Sequence, residues 1–246
     1  MGLPRISTRE EWLRERTDLL AEEKAMTRAI DALNTRRREL PMVRVDDEYT
    51  FHGPDGDVSL ADLFDGCRQL IVQHFMFDPA WDEGCQSCTA ASDEMCDGLR
   101  RHLRVRDTNF VVVSRAPLDK IEAYRSAKGW TFPWYSSFGS RFNYDYHVTL
   151  DASEAPVMFN YRGPDELRAA GFEWILEGSS EQPGYSTFLR DGDDVFHTNS
   201  FFARGTEMLG GSYAFLDQTA LGRQEDWEEP KGRADVVRGN TPNFAS

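Results

Sequence analysis

From residue 8 to 39 the apolar positions recur at helical spacing. Trp12, Leu19, Met26 and Leu33 fall seven apart, and Leu20 and Ile30 widen the stripe. Ser7 followed by Glu10 reads as a capping box, and Pro41 stops the helix. The opposite face is dense in Arg and Glu. Such an arm must lay its stripe on something. Its own domain is the first expectation and a homodimer contact the alternative, because the stripe is too short for a sustained coiled coil.

At residue 43 the period changes. VRVDDEYTFHGPDGDVSL predicts two short strands around a GPDG turn, and SLADLF a short helix capped by Ser59. RQLIVQHFMF is a dense apolar run of buried-strand length. TAASDEMCDGLRRHL has helical composition, and NFVVVS is a second buried strand. APLDKIEAYRSAKGW predicts a helix that opens at Pro117 and stops near Gly129. Residues 130 to 161 lack a clean period and predict an aromatic insertion with short strands. GYSTFLRDGDDVFHTNSF is the clearest hairpin, turning at Asp191-Gly192-Asp193. GTEMLGGSYAFLDQ predicts a closing helix broken by glycines. Strands that alternate with helices imply a parallel sheet core.

With 40% hydrophobic residues in 246, the chain has material for one core with extensions. The expected division is a helical arm of residues 1–41, an α/β domain of residues 42–221 and a polar tail of residues 222–246. A formal net charge of −14 repels phosphate backbones and anionic lipid, so neither nucleic acid nor membrane is an expected partner. The N-terminus has no apolar leader region and no segment reaches membrane-span length. A cytoplasmic location is expected, in which the four cysteines (Cys67, Cys85, Cys88, Cys96) stay mostly reduced.

Between the first buried strand and the following helix stands EGCQSC. A Cys-x-x-Cys there sets Cys85 at a helix N-terminus, where backbone N–H groups and the helix dipole favour a thiolate. Two intervening residues keep the sulfurs close enough to join. The pair could then attack a disulfide and resolve the mixed product. A structural zinc site needs four ligands, and here there is one pair. Cys96, eleven residues along the expected helix, lies about 16 Å from Cys85, and Cys67 reads as a core residue. A soft copper site remains an alternative, built from Cys85, Cys88 and a histidine such as His74 or His197, with Met76 nearby. No cofactor is expected, since the chain has no Gly-rich phosphate loop and no G-x-S-x-G.

The stretch from Trp130 to Tyr146 carries eight aromatic residues. They could wall a pocket for a small apolar molecule, with Trp81, Trp134, Tyr135 and Tyr144 as contacts and Arg141 and Asp145 as orienting groups. The alternative is a satellite hydrophobic cluster under a long loop. If FNYDYHVT is extended, Asp145 and His147 share one side of a strand as a base and its orienter, or as an ordinary polar face.

EEWLRERTDLLAEEKAMTRAIDALNTRRRELP, YTFHGPDG, SLADLFDG, QLIVQHFMF, GCQSC, VVVSRAPLDKIEAYR, GWTFPWYSS, FNYDYHV and GRQEDW together resemble a bacterial family of unknown function within the thioredoxin-like superfamily. The resemblance spans nearly the whole chain. It implies a thioredoxin-like fold, a central mixed sheet flanked by helices, preceded by a helical arm. The wider superfamily implies thiol–disulfide or peroxide chemistry on a small-molecule or protein thiol substrate, with Cys85 attacking and Cys88 resolving. Three features depart from the superfamily. Gly84, not Trp, precedes Cys85. Where the superfamily has a cis-proline just before the third core strand, facing the dithiol, the matching stretch GYSTFL has Ser186 before Thr187, and Pro183 stands three residues early. Cys85 occupies the place, relative to Cys88, of the Thr or Ser that precedes a peroxidatic cysteine.

Overall fold

The two dense apolar runs form the centre of the sheet. The computed structural model describes residues 4–211 and, beyond them, 214, 216–219, 225–227 and 231. It opens with helix α1 (Arg9–Arg38), followed by strands β1 (Val43–Arg44), β2 (Thr50–Gly53), β3 (Gly56–Ser59) and β4 (Gln69–His74). Helices α2 (Gln86–Asp93) and α3 (Asp97–Arg104) lead to β5 (Thr108–Ser114) and α4 (Leu118–Lys128). Then come β6 (Trp134–Ser136), α5 (Phe142–Asp145), β7 (Thr149–Asp151), α6 (Pro164–Ala169) and β8 (Ser179–Glu181). The long hairpin β9 (Gly184–Asp191) and β10 (Asp194–Phe202) follows, with a tight helix over Ala203–Leu209.

Eight strands make one sheet in the order β1-β10-β9-β4-β5-β6-β2-β3, and β7 and β8 pair separately. β4, β5 and β6 run parallel, whereas β9 is antiparallel to β4 and to β10. The centre is thus a βαβ unit joined edge to edge with a β-hairpin, which is the thioredoxin-like arrangement. The sheet is mixed because the hairpin returns at once.

Period-2 alternation assigns the two faces. Leu70, Val72, Val111 and Val113 point to one core with Phe51, Phe64, Phe142, Tyr146 and Phe188. Val112 and Phe110 point to the other with Phe75, Phe77, Cys88, Ile121, Phe132 and Trp134. Every residue of β5 is buried, as a strand covered on both faces must be.

Local signals explain the ends. Gly56, at φ 117°, closes the β2–β3 turn, and Gly129, at φ 69°, ends α4. Ser59 and Asp62 bond reciprocally at the start of the short helix Asp62–Phe64.

Several expectations are corrected. The capping box of α1 is Thr8 with Glu11, one residue later than Ser7 with Glu10. The helix after the cysteines is two helices: the chain turns at Glu94–Cys96, where Met95 N–H bonds Ser92 O and Cys96 becomes the N-cap residue of α3. FNYD is a helical turn and His147 has φ 55°, so Asp145 and His147 do not share a strand face. The arm does not bury its stripe on the domain: no side chain of α1 is buried. The expected closing helix is realised over Ala203–Leu209, and its remainder and the tail of residues 222–246 fall largely outside the described residues. Among the described residues no helix is long and apolar enough to cross a membrane.

His74 ends β4 and is 2% exposed, its ring against those of Phe142 and Tyr146. Its Nε2 meets Ser186 Oγ at 2.7 Å, Ser186 meets Ser200 at 2.7 Å, and Ser200 meets His197 Nε2 at 2.8 Å. Burial, then the charge of His197, lowers its pKa from 6.5 to about 3. The unfolded chain therefore binds a proton below its ordinary pKa that the folded chain refuses, so stability falls as pH drops from 6.5 toward 3. At pH 5 this one group is expected to cost about 2 kcal/mol. Denaturant unfolding at pH 7 and pH 5 checks it: wild type should lose about that much more than His74→Gln, and equal losses would remove His74 as the cause.

Candidate functional site

The end of β4 delivers the chain into the loop that carries the dithiol. Cys85 N–H bonds Met76 O at 3.0 Å, which ties the loop back to the strand end. Cys85 is the N-cap residue of α2, and Thr89 N–H closes the first turn on Cys85 O at 2.9 Å. Thr89 Oγ1 also bonds Cys85 O at 2.9 Å and lies 2.9 Å from the hydroxyl of Tyr124 on α4. Gly84 has a steric reason to be glycine. A Cβ there would stand 2.5 Å from the Phe75 ring and 3.5 Å from Tyr124. The position where thioredoxins carry Trp is here pressed onto the core, and no side chain fits.

Cys85 is partly exposed, whereas Cys88, one turn inward, is 5% exposed. The Cys88 thiol donates to the Cys85 sulfur. That bond outweighs burial and, with the N–H groups of Cys88 and Ser87, lowers the Cys85 pKa to about 6. The same bond, burial and the charges of Cys85 and Glu181 push the Cys88 thiol up. The partly exposed sulfur is thus the one favoured as a thiolate and the buried one is held as a thiol, the asymmetry that sequential attack requires.

Sequence reasoning missed Glu181. It is 4% exposed in β8, two residues before Pro183. Arg115 Nε donates to its Oε1 at 2.8 Å and Thr149 Oγ1 to the same oxygen at 2.9 Å, while Oε2 has no partner among the described residues. Burial raises the Glu181 carboxyl despite Arg115. Burial alone would lower Arg115; the charge of Glu181 overcomes it and holds the guanidinium above its ordinary value. Arg115 also bonds Asp78 and reaches the Tyr144 hydroxyl at 3.3 Å. No local pattern announces a pairing between residues 66 positions apart. Tyr185 completes the surroundings: burial, then the charge of Cys88, raises its phenol.

The third core strand begins at Gly184, so Pro183 stands directly before it, not three residues early. Trp81, 37% exposed, lies in the same loop as the dithiol, and Lys120 Nζ holds that loop through Pro79 O at 2.8 Å and Trp81 O at 2.9 Å.

The other expected contacts divide between the two faces of the sheet. Trp134 is 1% exposed and packs with Trp130, Phe132 and Phe75 on the dithiol face. Tyr135 is half-buried on the opposite core. Arg141 pairs with Asp145 at 3.7 Å, and Asp145 accepts from Tyr49 at 2.9 Å. Tyr144 lies between Arg115 and Arg141. Trp134 and Tyr135 thus belong to different cores, which favours packing over a shared pocket wall for this stretch.

The two histidines offered for a copper site lie apart from the dithiol. His74 and His197 contact Tyr146, on the face opposite the one that holds Cys88. Met76 stays on the dithiol face but turns its backbone oxygen to Cys85. Among the described residues no three of His, Cys, Asp and Glu converge to hold a metal ion. Cys67 is buried and Cys96 exposed on another helix.

A thioredoxin-like sheet with a Cys-x-x-Cys at the start of its first core helix defines the class of this chain. Its particular family follows from sequence. The model of a bacterial protein family of unknown function (DUF899) matches residues 1–239, and the chain belongs to that family. No curated protein matches it. Among solved structures it is similar to a putative protein disulfide isomerase from Bacteroides thetaiotaomicron, at 15% identity over 69% of this chain and 89% of that one, with a TM-score of 0.39. It is also similar to the Xanthomonas campestris bacterioferritin comigratory protein, at 10% identity over 65% and 83%, with a TM-score of 0.41. A putative thiol:disulfide interchange protein DsbE from Chlorobium tepidum aligns at 14% identity over 69% and 93%, with a TM-score of 0.37.

Proposed function

We propose that the chain is a thiol–disulfide oxidoreductase of a reducing compartment such as the cytoplasm, with its dithiol in the unit of residues 42–221. The observation that carries the reading is the asymmetry of the pair: a partly exposed Cys85 with its pKa lowered to about 6 beside a buried Cys88 pushed up. In the reducing direction the Cys85 thiolate attacks one sulfur of a substrate disulfide. A Cys85–substrate bond forms and the other half leaves as a thiolate. Cys88 then gives up its proton and attacks the Cys85 sulfur. The Cys85–Cys88 bond forms, the second substrate thiolate leaves, and two electrons have passed from the dithiol to the substrate. Glu181 stands near enough for its charge to act on Cys88, which suits it to draw off the Cys88 proton over an intervening gap, and Arg115 would hold that carboxylate in place. A dithiol substrate returns the enzyme to its reduced form by the reverse steps.

Counting alkylated thiols by intact mass tests this. Mild oxidation should remove two reactive thiols from wild type and none from Cys85→Ser. Four reactive thiols in oxidised wild type would end the proposal.

The rim gives the substrate a charge preference. Asp82 and Glu83 are exposed beside Cys85, and Lys120, which reaches that loop from α4, is spent on the backbone oxygens of Pro79 and Trp81. Anionic disulfides are therefore repelled. Cystamine is expected to oxidise the dithiol about tenfold faster than oxidised glutathione at low salt. Asp82→Asn with Glu83→Gln should narrow the gap in a stopped-flow comparison. Equal rates for the two disulfides in wild type would refute the preference.

A further inference from the structure

We infer that α1 is an interface between two copies of this chain, paired antiparallel. The helix has 30 residues and none is buried. Its stripe is open to solvent: Trp12 is 48% exposed, Leu19 49%, Met26 61% and Leu33 43%. Four large apolar side chains in line on one helix are a surface awaiting a partner, because isolated helices gain little from propensity alone.

The helix itself names that partner. Turned end for end, the stripe falls on its own image. Trp12 comes opposite Leu33 of the second copy and Leu19 opposite its Met26, and a two-fold axis repeats both pairs. The charges choose the direction. Residues 9–23 hold six acidic and three basic side chains; residues 24–38 hold one acidic and five basic. A parallel pair would set Arg36, Arg37 and Arg38 beside their own copies. An antiparallel pair sets them beside Glu10 and Glu11 of the second chain. The internal pairs of the helix leave this imbalance in place, since Arg16–Glu23 and Arg5–Glu15 both lie within its acidic half or before it. The contact is a strip about 45 Å long, at the small end of specific interfaces. The dimer is therefore expected to dissociate on dilution.

Sedimentation of the full chain across a concentration series is the first test. The mass should rise from one chain to two, and Leu19→Glu with Met26→Glu should hold it at one while circular dichroism shows an unchanged fold. A wild type that stays monomeric, with its arm on its own domain or in solution, overturns the inference. So does a dimer indifferent to those substitutions, or an assembly larger than two. The direction is read by disulfide trapping in a background of Cys85→Ser and Cys96→Ser. A mixture of Trp12→Cys chains and Leu33→Cys chains should cross-link several-fold more than either alone. Preferential cross-linking of Trp12→Cys chains to one another would show a parallel pair and overturn the antiparallel assignment.

Discussion

Replacing Cys85 by serine is expected to abolish disulfide exchange, with the rate falling by about three orders of magnitude or more. The reason is chemical, because an alcohol is not ionised at neutral pH and the thiolate is the attacking species. With its pKa near 6, Cys85 is about nine-tenths thiolate at pH 7. Cys88→Ser should behave differently. The first attack survives, but nothing resolves it, so the mixed disulfide accumulates and intact mass shows the chain plus one substrate half. Cys88→Ala separates a further effect. The bond from the Cys88 thiol is the largest cause of the lowered Cys85 pKa, so its loss should move that pKa up toward 9, the ordinary thiol value. At pH 7 the thiolate fraction then falls by at least about tenfold. The pH dependence of alkylation by an uncharged reagent reads this directly. If Cys85 alkylates with a midpoint near 9 in wild type, the thiolate argument fails, and the exchange reading loses its nucleophile.

Elements whose signals are local were legible in the sequence. The buried strands announced themselves by unbroken apolar runs, α4 by Pro117 and Gly129, and the hairpins by their Gly-Asp turns. The dithiol was legible for the same reason, since Cys85 and Cys88 are neighbours whose placement needs only a strand before them and a helix after. What the sequence could not convey depends on long-range register. Glu181 meets Arg115 only because β8 is brought beneath the end of β5 by chain that itself has little regular structure. Pro183 could be placed only once β9 was seen to begin at Gly184. The aromatic stretch did not announce that its residues alternate between two cores: Trp134 enters one face of the sheet, Tyr135 the other, and Phe142 and Tyr146 follow Tyr135. An aperiodic run of aromatics looks like one surface in sequence. A strand and a helical turn distribute it to both sides.

That distribution has a measurable consequence. Trp134→Ala is expected to destabilise the protein by about 3–5 kcal/mol, a large share of the total for a domain of this size. Trp134 is 1% exposed, and its ring centroid is 4.6 Å from Phe75 and 5.7 Å from Trp130. Its Nε1 donates to Ser114 Oγ at 3.0 Å, and Ser114 in turn donates to Phe75 O at 2.7 Å. The substitution removes an aromatic volume and a buried donor together, so cavity and lost hydrogen bond add. It also reaches the site. Phe75 is the ring against which the backbone of Gly84 rests. With Trp134 gone, Phe75 gains room to shift, and the loop that presents Cys85 loses its floor. Denaturant unfolding should therefore show the loss of stability, and the folded variant should alkylate Cys85 with a raised midpoint. Trp134→Phe, which refills part of the volume, should recover much of both. A Trp134→Ala protein as stable as wild type would mean that the ring is not core, and would return the aromatic stretch to the role of a ligand wall.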